Sequence, residues 1–498
     1  MSPLFGTNQV TLPMASSLPT SPLPLFPSAP RRRRGTILVA ALWAVVILTS
    51  VILVFARSMR VEAISANNRV SSAQAAAVVR GAEQYVLSLA DVAAGDPSSL
   101  STYSFEALPV GEDPYDGNPL GYFWLIKPDP TNNQLLTFGL TDENAKLDVG
   151  SAAATELAKL PGMTDDVVAA IADWRDTDSD VTSQGAENDY YMSLPQPYNA
   201  KNDRFETVEE LRLVRGITND ILYGYDRNRD GVLDARERSY GGMATSINSA
   251  QGDGRGLAPF LTVYSTEPAA ATGTANVNGD AAAIQQALAK VLSADRAQAI
   301  VQRSGAGGGQ QGGGPPASQP STAMRFTSVF DFCFKGQMTA DEVDKAYDSL
   351  SASSTATTQP TAVRGRINLN TAPAEVLACL PGLEQADVDK LVNARSAQTA
   401  TSSVAWAYEA LGGEKAAAIG ARLTNKSYQY TADIVAVTGN GKGFRRVRVV
   451  VDARQSPARI IYRKDLTELG WPLDLATRET LRQGGTLEPT NASVDPAN

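Results

Sequence analysis

The hydrophobic pattern changes period along the chain, and each change predicts a different element. From Thr36 to Ala56, TILVAALWAVVILTSVILVFA, no residue is charged. As a helix rising about 1.5 Å per residue, that run spans roughly the 30 Å of a bilayer core. Beyond it Val61, Ile64, Val70, Ala73, Ala77, Val78, Tyr85 and Leu89 recur at steps near three and four until Gly95 and Pro97. The pattern predicts one helix reaching about Ala94, near 90 Å long. A β-hairpin follows: Tyr122–Lys127 (YFWLIK), the turn signal PDPTNN and Gln134–Leu140. A second lies far downstream, Ser427–Val437 (SYQYTADIVAV), TGNGKG and Phe444–Val451, with Val447, Val449 and Val451 on one face. Between the hairpins the pattern is mostly helical. The fold class is therefore α+β: a long N-terminal helix packed on a small antiparallel sheet, interrupted by a large, mostly α-helical insert.

These periods divide the chain into a leader, 1–35; the long helix, 36–95; a β domain from 96–145 and 427–472; the insert, 146–426; and a loose tail, 473–498. Met1–Pro30 is rich in Pro and Ser and reads as disordered. Ser304–Ala323 is a Gly-rich linker, and Ser351–Gln359 is a second linker signal. One phrase recurs in the insert. Lys146-Leu147-Asp148 leads to ELAKLPGM, Ala275-Asn276-Val277-Asn278 to AIQQALAKVL, and Arg366-Ile367-Asn368-Leu369-Asn370 to TAPAEVLACLPGL. Each reads as a short strand ending in Asp or Asn and then a helix, with Thr371 and Pro373 at capping positions in the third. The spacing is unequal, so this is not a solenoid.

Charge orients the first helix. Arg31–Arg34 flank its N-terminal side, which places that end in the cytoplasm and the bulk of the chain across the membrane. The formal charge of -9 argues against a general nucleic-acid surface. Histidine is absent, which removes Ser-His-Asp and Cys-His catalysis and His-ligated zinc. The two cysteines, Cys333 and Cys379, are too few for a zinc site and form either one disulfide or two separate buried thiols.

The sharpest motif is Asp226–Glu237, DRNRDGVLDARE. Oxygen side chains stand at loop positions 1, 3, 5, 9 and 12, namely Asp226, Asn228, Asp230, Asp234 and Glu237. Gly231 permits a sharp turn, and Val232 offers its carbonyl. This is the pattern of an EF-hand-type calcium loop, and its short flanks suit a structural brace better than a switch. A second acidic loop, DWRDTDSDVTSQGAENDY, starts at Asp173 and holds Asp176, Asp178, Asp180, Glu187 and Asp189. Its mutual repulsion is relieved by a cation, or by water and arginines such as Arg175, but its spacing fits no fixed template.

The join Arg34-Gly35-Thr36, where a basic leader meets the apolar run directly, resembles that of type IV prepilins and type II secretion pseudopilins. The resemblance implies cleavage after Gly35 by a prepilin peptidase, leaving Thr36 as a methylated N-terminus. Ala40 stands where most members of that superfamily carry Glu. In them the carboxylate pairs with the terminal amine of a neighbouring subunit, so alanine implies a subunit at the tip. The repeated phrases, with DWRDTDSD, GAENDYY, FETVEELRLVRGIT and LTVYS, are similar to the K-type minor pseudopilin of the type II secretion system. That likeness implies a non-enzymatic structural subunit, anchored by a single pass in the inner membrane with its bulk in the periplasm. It also implies I- and J-type minor pseudopilins as partners, at the tip of a pseudopilus that supports export across the outer membrane. KLPGM, LVRGIT and CLPGLEQ suggest an alternative, a membrane-tethered helix-hairpin-helix DNA receptor of a competence-type system. Against it, Thr164, Thr218 and Glu384 replace the second glycine that would bring backbone amides to a phosphate, so no nucleic-acid partner is expected.

Overall fold

In this computed structural model the described residues are 34–115, 117–129, 135–234, 237–239, 254–268, 274–306, 326–352, 362–398 and 403–487. The leader up to residue 33, most of the Gly-rich linker and the end of the tail lie outside them. The chain divides into two units, Met1–Ala66 and Asn67–Asn498.

The first unit carries the start of the helix Arg34–Val92. Every side chain from Thr36 to Ile64 on it is exposed, although most are apolar. The helix is long and apolar enough to cross a membrane. Its two central hydroxyls bond back into the helix, Thr49 Oγ1 to the Val45 carbonyl and Ser50 Oγ to that of Val46, both at 2.8 Å. Neither hydroxyl would need water at that depth.

In the second unit the same helix presents Ala75, Val78, Val79, Ala82, Val86, Leu89 and Ala90 to a sheet. This stripe is rotated from the expected one, since Val70, Ala73 and Ala77 are exposed. The reason is the alanines, which give little hydropathy contrast but allow close approach. A Cβ on Gly121 of the sheet would stand 2.5 Å from a Val78 methyl. The sheet is antiparallel, ordered Leu108–Glu112, Pro119–Pro128, Gln429–Thr438, Phe444–Asp452, Arg459–Asp465, with Leu136–Phe138 and Thr141–Asp142 as short additions. Ile434 pairs with both Leu125 and Val447, so strands from the two expected hairpins lie side by side. Phe123, Leu125, Ala432, Ile434, Val447, Val449 and Val451 face the helix. Each buried Val or Leu there contributes about 1.5–3 kcal/mol.

The opposite face corrects the expected loose tail. Residues 475–482 form a helix, and its Leu481 is buried against Tyr122, Trp124, Val435 and Val437. Trp471 stands edge-on to Trp124 at 5.8 Å and to Phe444 at 5.6 Å, with Arg478 over both the Phe444 and Trp471 rings. Sparse apolar residues made this segment look unstructured. Few are needed to cover one face of a sheet whose other face is already filled.

The insert is built from one unit used three times. Each starts with a two-residue strand ending in Asp or Asn, whose side chain accepts the amide two residues on: Gly150 to Asp148, Asn278 to Asn276, Asn370 to Asn368. Helical hairpins follow, then a 3-10 turn and a returning strand that pairs in parallel with the first. The ladders are Leu147–Asp148 with Leu261–Thr262, Ala275–Asn276 with Leu350–Ser351, and Ile367–Asn368 with Leu423–Thr424. The sequence reading found the opening strands and missed the returning Leu-Ser/Thr pairs, which are too short for any period. All three units share one apolar core. Thr371 does not cap the third helix; its hydroxyl donates to Asp142 at 2.6 Å instead.

Candidate cation loops

The first acidic loop folds into a closed ring of side-chain-to-amide bonds. Asp226 accepts from the amides of Asp230 at 3.1 Å and Gly231 at 2.9 Å, and Asn228 Oδ1 from Asp230 at 2.8 Å. Asp230 accepts from the Val232 amide at 2.9 Å and from Asn228 Nδ2 at 2.8 Å. Glu237 closes the ring, taking the Arg227, Asn228 and Asp234 amides, while Asp234 accepts the Glu237 amide at 2.8 Å. Gly231 has φ +86, a conformation side chains rarely adopt, and a Cβ there would press on Pro128 at 3.0 Å. Asp226, Asp230 and Glu237 are all buried. Burial first, and then Asp230 beside it, push the Asp226 carboxyl up to about 7. Burial likewise pushes Asp230 up to about 6. Burial is therefore the main influence that disfavours the ionised form of these two carboxyls.

This loop sits on the sheet through two arginines. Arg446, with no exposed side-chain surface, donates to the Asn228 carbonyl at 2.5 Å and the Arg229 carbonyl at 3.1 Å. Arg448 reaches the Arg229 carbonyl at 2.5 Å. Asp433, on the neighbouring strand, binds both guanidiniums, at 2.7 Å to Arg446 and 2.6 Å to Arg448. Burial works to raise the Asp433 carboxyl, and the two arginines overcome it and hold it below the usual range. Alternation along the strands gives no warning of this cluster, because these residues share the sheet face with Trp124 and Val435.

The second acidic loop is built differently. Asp173 is fully buried and accepts the Thr182 hydroxyl at 2.6 Å. Its carboxylate comes so close to Gly185 that a Cβ there would lie 1.9 Å away. Asp176 Oδ1, both carboxylate oxygens of Glu187 and Asn202 Oδ1 are buried with no hydrogen-bond partner. Burial raises the Glu187 carboxyl, and Asp176 and Asp173 raise it further. Burial, with Asp178 and Asp173, does the same to Asp176. Asp178, Asp180 and Asp189 are exposed. Asp173 and Asn202 escaped the sequence reading as members of this site. Asn202 comes from outside the loop, and its amide is held by the Asp178 carbonyl.

Oxygen-only donors of this kind suit a hard divalent cation such as calcium, which takes six to eight oxygens. In the second loop, four oxygens already lack any other partner. Among the described residues, no group of three or more carboxylate or thiol side chains forms a ready-made cage. An ion would draw the carboxylates together.

The remaining predicted residues fall as follows. Gly35 and Thr36 lie in the first turn of the long helix. Cys333 and Cys379 are both free and buried, so the thiols stand apart and unjoined. Gly162, Gly216 and Gly382 turn their hairpins with positive φ. Thr164, Thr218 and Glu384 precede the next helices, whose first turns carry Asp165 and Asp166, Asp220, and Asp387. Carboxylates at these helix N-termini would repel a phosphate.

Two family models match the chain, both described as type II secretion system (T2SS), protein K: one over residues 134–225, the other over 367–424. A type II secretion system protein K from Pectobacterium carotovorum subsp. carotovorum is 44% identical over 55 residues, 11% of this chain and 17% of that protein. A putative protein K from Escherichia coli (strain K12) is 38% identical over 60 residues, 12% and 18% of the two chains. The chain thus spans under a fifth of the curated relatives it matches. A solved GspK-GspI-GspJ complex from enterotoxigenic Escherichia coli aligns at 11% identity with TM-score 0.39, covering 80% of this chain and 99% of that one. The two family matches fall in order on the first and third units of the insert and leave the middle unit between them.

Proposed function

We propose that this chain is a minor pseudopilin that assembles at the tip of a type II secretion pseudopilus and supports protein export across the outer membrane. One observation carries the reading: a helix exposed and apolar from Thr36 to Ala56, on a chain whose insert matches protein K at two separate places. On this reading a prepilin peptidase cuts after Gly35, Thr36 becomes the methylated N-terminus, and the helix anchors the protein in the inner membrane with its bulk in the periplasm. The absence of a carboxylate at Ala40 suits a subunit with none above it. The named components of the solved complex make I- and J-type minor pseudopilins the partners to test. The subunit's role is structural rather than enzymatic, and a chain without histidine lacks the commonest general base. Calcium, held by Asp226, Asn228, Asp230, Val232, Asp234 and Glu237 in one loop and by Asp173, Asp176, Glu187 and Asn202 in the other, braces the insert.

The test is mass spectrometry of the mature N-terminus in cells with and without the peptidase, followed by co-purification with I- and J-type subunits. A methylated Thr36 terminus and a stable ternary complex support the proposal. An intact leader in both strains, or a chain that elutes alone, sinks it.

A further inference from the structure

The insert leaves and rejoins the sheet through a buried knot of polar side chains. Asp142, at its start, accepts the Asn144 amide at 2.8 Å, Asn368 Nδ2 at 3.0 Å, and the hydroxyls of Thr371 and Ser427 at 2.6 Å each. Glu143 is equally well held, by Lys146 Nζ at 2.5 Å and the hydroxyls of Thr431 and Thr262. Glu267 is held more loosely. It is buried, with Asn144 Nδ2 donating to one of its oxygens at 3.2 Å, Arg366 Nη1 3.7 Å from the other, and the Thr424 hydroxyl as a further donor. Two buried atoms beside it have no partner: Asn144 Oδ1, an acceptor, and Arg366 Nε, a donor.

That pairing gives the carboxyl two ways to be satisfied. Protonated, Glu267 can donate its O–H to Asn144 Oδ1. Ionised, it can draw in Arg366 and use Nε. We infer that Glu267 is a proton-operated latch at the root of the insert, tight when protonated and looser when ionised. Its strand, Thr266–Glu267, pairs with Val363–Arg364, and the Thr266 amide donates to Gln429 Oε1 at 3.0 Å on the sheet. The latch therefore joins the first unit, the strand leading to the third, and the sheet.

Ionisation would place a negative charge near the Asp142 carboxyl, which opposes it. Arg366 and Lys426 favour it, while Tyr428 and Tyr347 add no positive charge. Burial is the largest influence and pushes the Glu267 carboxyl up to about 7. An unfolded glutamate has already released its proton well below that pH, near 4.3. The stabilisation is therefore fully present below the unfolded value and is lost as pH rises through about 7.

The test is hydrogen exchange on the full chain in detergent micelles between pH 5.5 and 8.5, corrected for intrinsic rates. It reads peptides covering 262–268 and 362–371 in the wild type and in Glu267→Gln, whose amide imitates the protonated form. Wild-type protection should fall by up to about tenfold per pH unit below pH 7 and then level off, while the variant stays flat. Arg366→Met should move the wild-type transition to higher pH, which keeps the idea open to refutation if Glu267→Gln fails to fold. Flat wild-type protection, equal slopes in wild type and Glu267→Gln, or an unmoved transition in Arg366→Met would overturn the latch.

Discussion

In the loop 226–237 both oxygens of Asp226, Asp230 and Glu237 accept a hydrogen bond from their own segment, whereas in the loop 173–189 Glu187 keeps both oxygens buried and unbonded. The first loop is closed by contacts within its own segment, 10 residues apart at most, and is then anchored to the sheet by Arg446 and Arg448. The second depends on Asp173 at its start and on Asn202, which reaches it from further along the chain. Fit to a spacing template and need for an ion are thus separate properties: the first loop has the better template, the second the stronger unmet demand.

The largest effect should come from the seat of the first loop. Arg446→Ala leaves Asp433 buried beside a single guanidinium and the Asn228 carbonyl without its arginine donor, and should cost about 3–5 kcal/mol in denaturant unfolding. A loss below 1 kcal/mol would mean that the loop holds its place without the sheet. Next is metal removal. Calcium at a hundred times its Kd should stabilise the full chain by about 2.7 kcal/mol per site, reversed by a chelator. Isothermal titration gives the number of sites, and no heat at either loop would end the calcium reading. Gly185→Ala forces the Asp173 carboxylate aside and should cost about 1–3 kcal/mol while abolishing binding at the second loop only.

A finer contrast lies in sign. Without calcium, Glu187→Gln removes an unpartnered buried charge and should stabilise by about 1–2 kcal/mol, while Glu237→Gln weakens three amide contacts and should destabilise by a similar amount. Equal signs would erase the distinction between the loops. Smallest of all, Asp189→Asn, on the exposed side, should change stability by less than about 0.5 kcal/mol and leave calcium affinity unchanged.

Much of this architecture was legible in the chain. Tyr122–Lys127 and Ser427–Val451 carry strand patterns strong enough to read, and the run from Thr36 reads as a long apolar helix. The missing strands, Leu108–Glu112 and Arg459–Asp465, lie at the sheet edges, where Pro109, Gly111 and alternating charges suppress the usual signal. The helix stripe was misplaced because Ala75 and Ala82 matter for their small size. Within the sites, contacts spanning a few residues were readable and those between distant segments were not. Nothing near Asp226 announces Arg446, and nothing near Glu187 announces Asn202.

The junction at Asp142 has one further consequence. Ser427 touches Asp142 although 285 positions separate them, and Thr141–Asp142 still pairs with Tyr430 and Thr431. Closing so wide a detour costs only a logarithm of its length, so doubling it adds roughly 0.6 kcal/mol. With departure and return fixed in adjacent rungs of one ladder, whole modules can be added to the excursion while the sheet beneath keeps its registry.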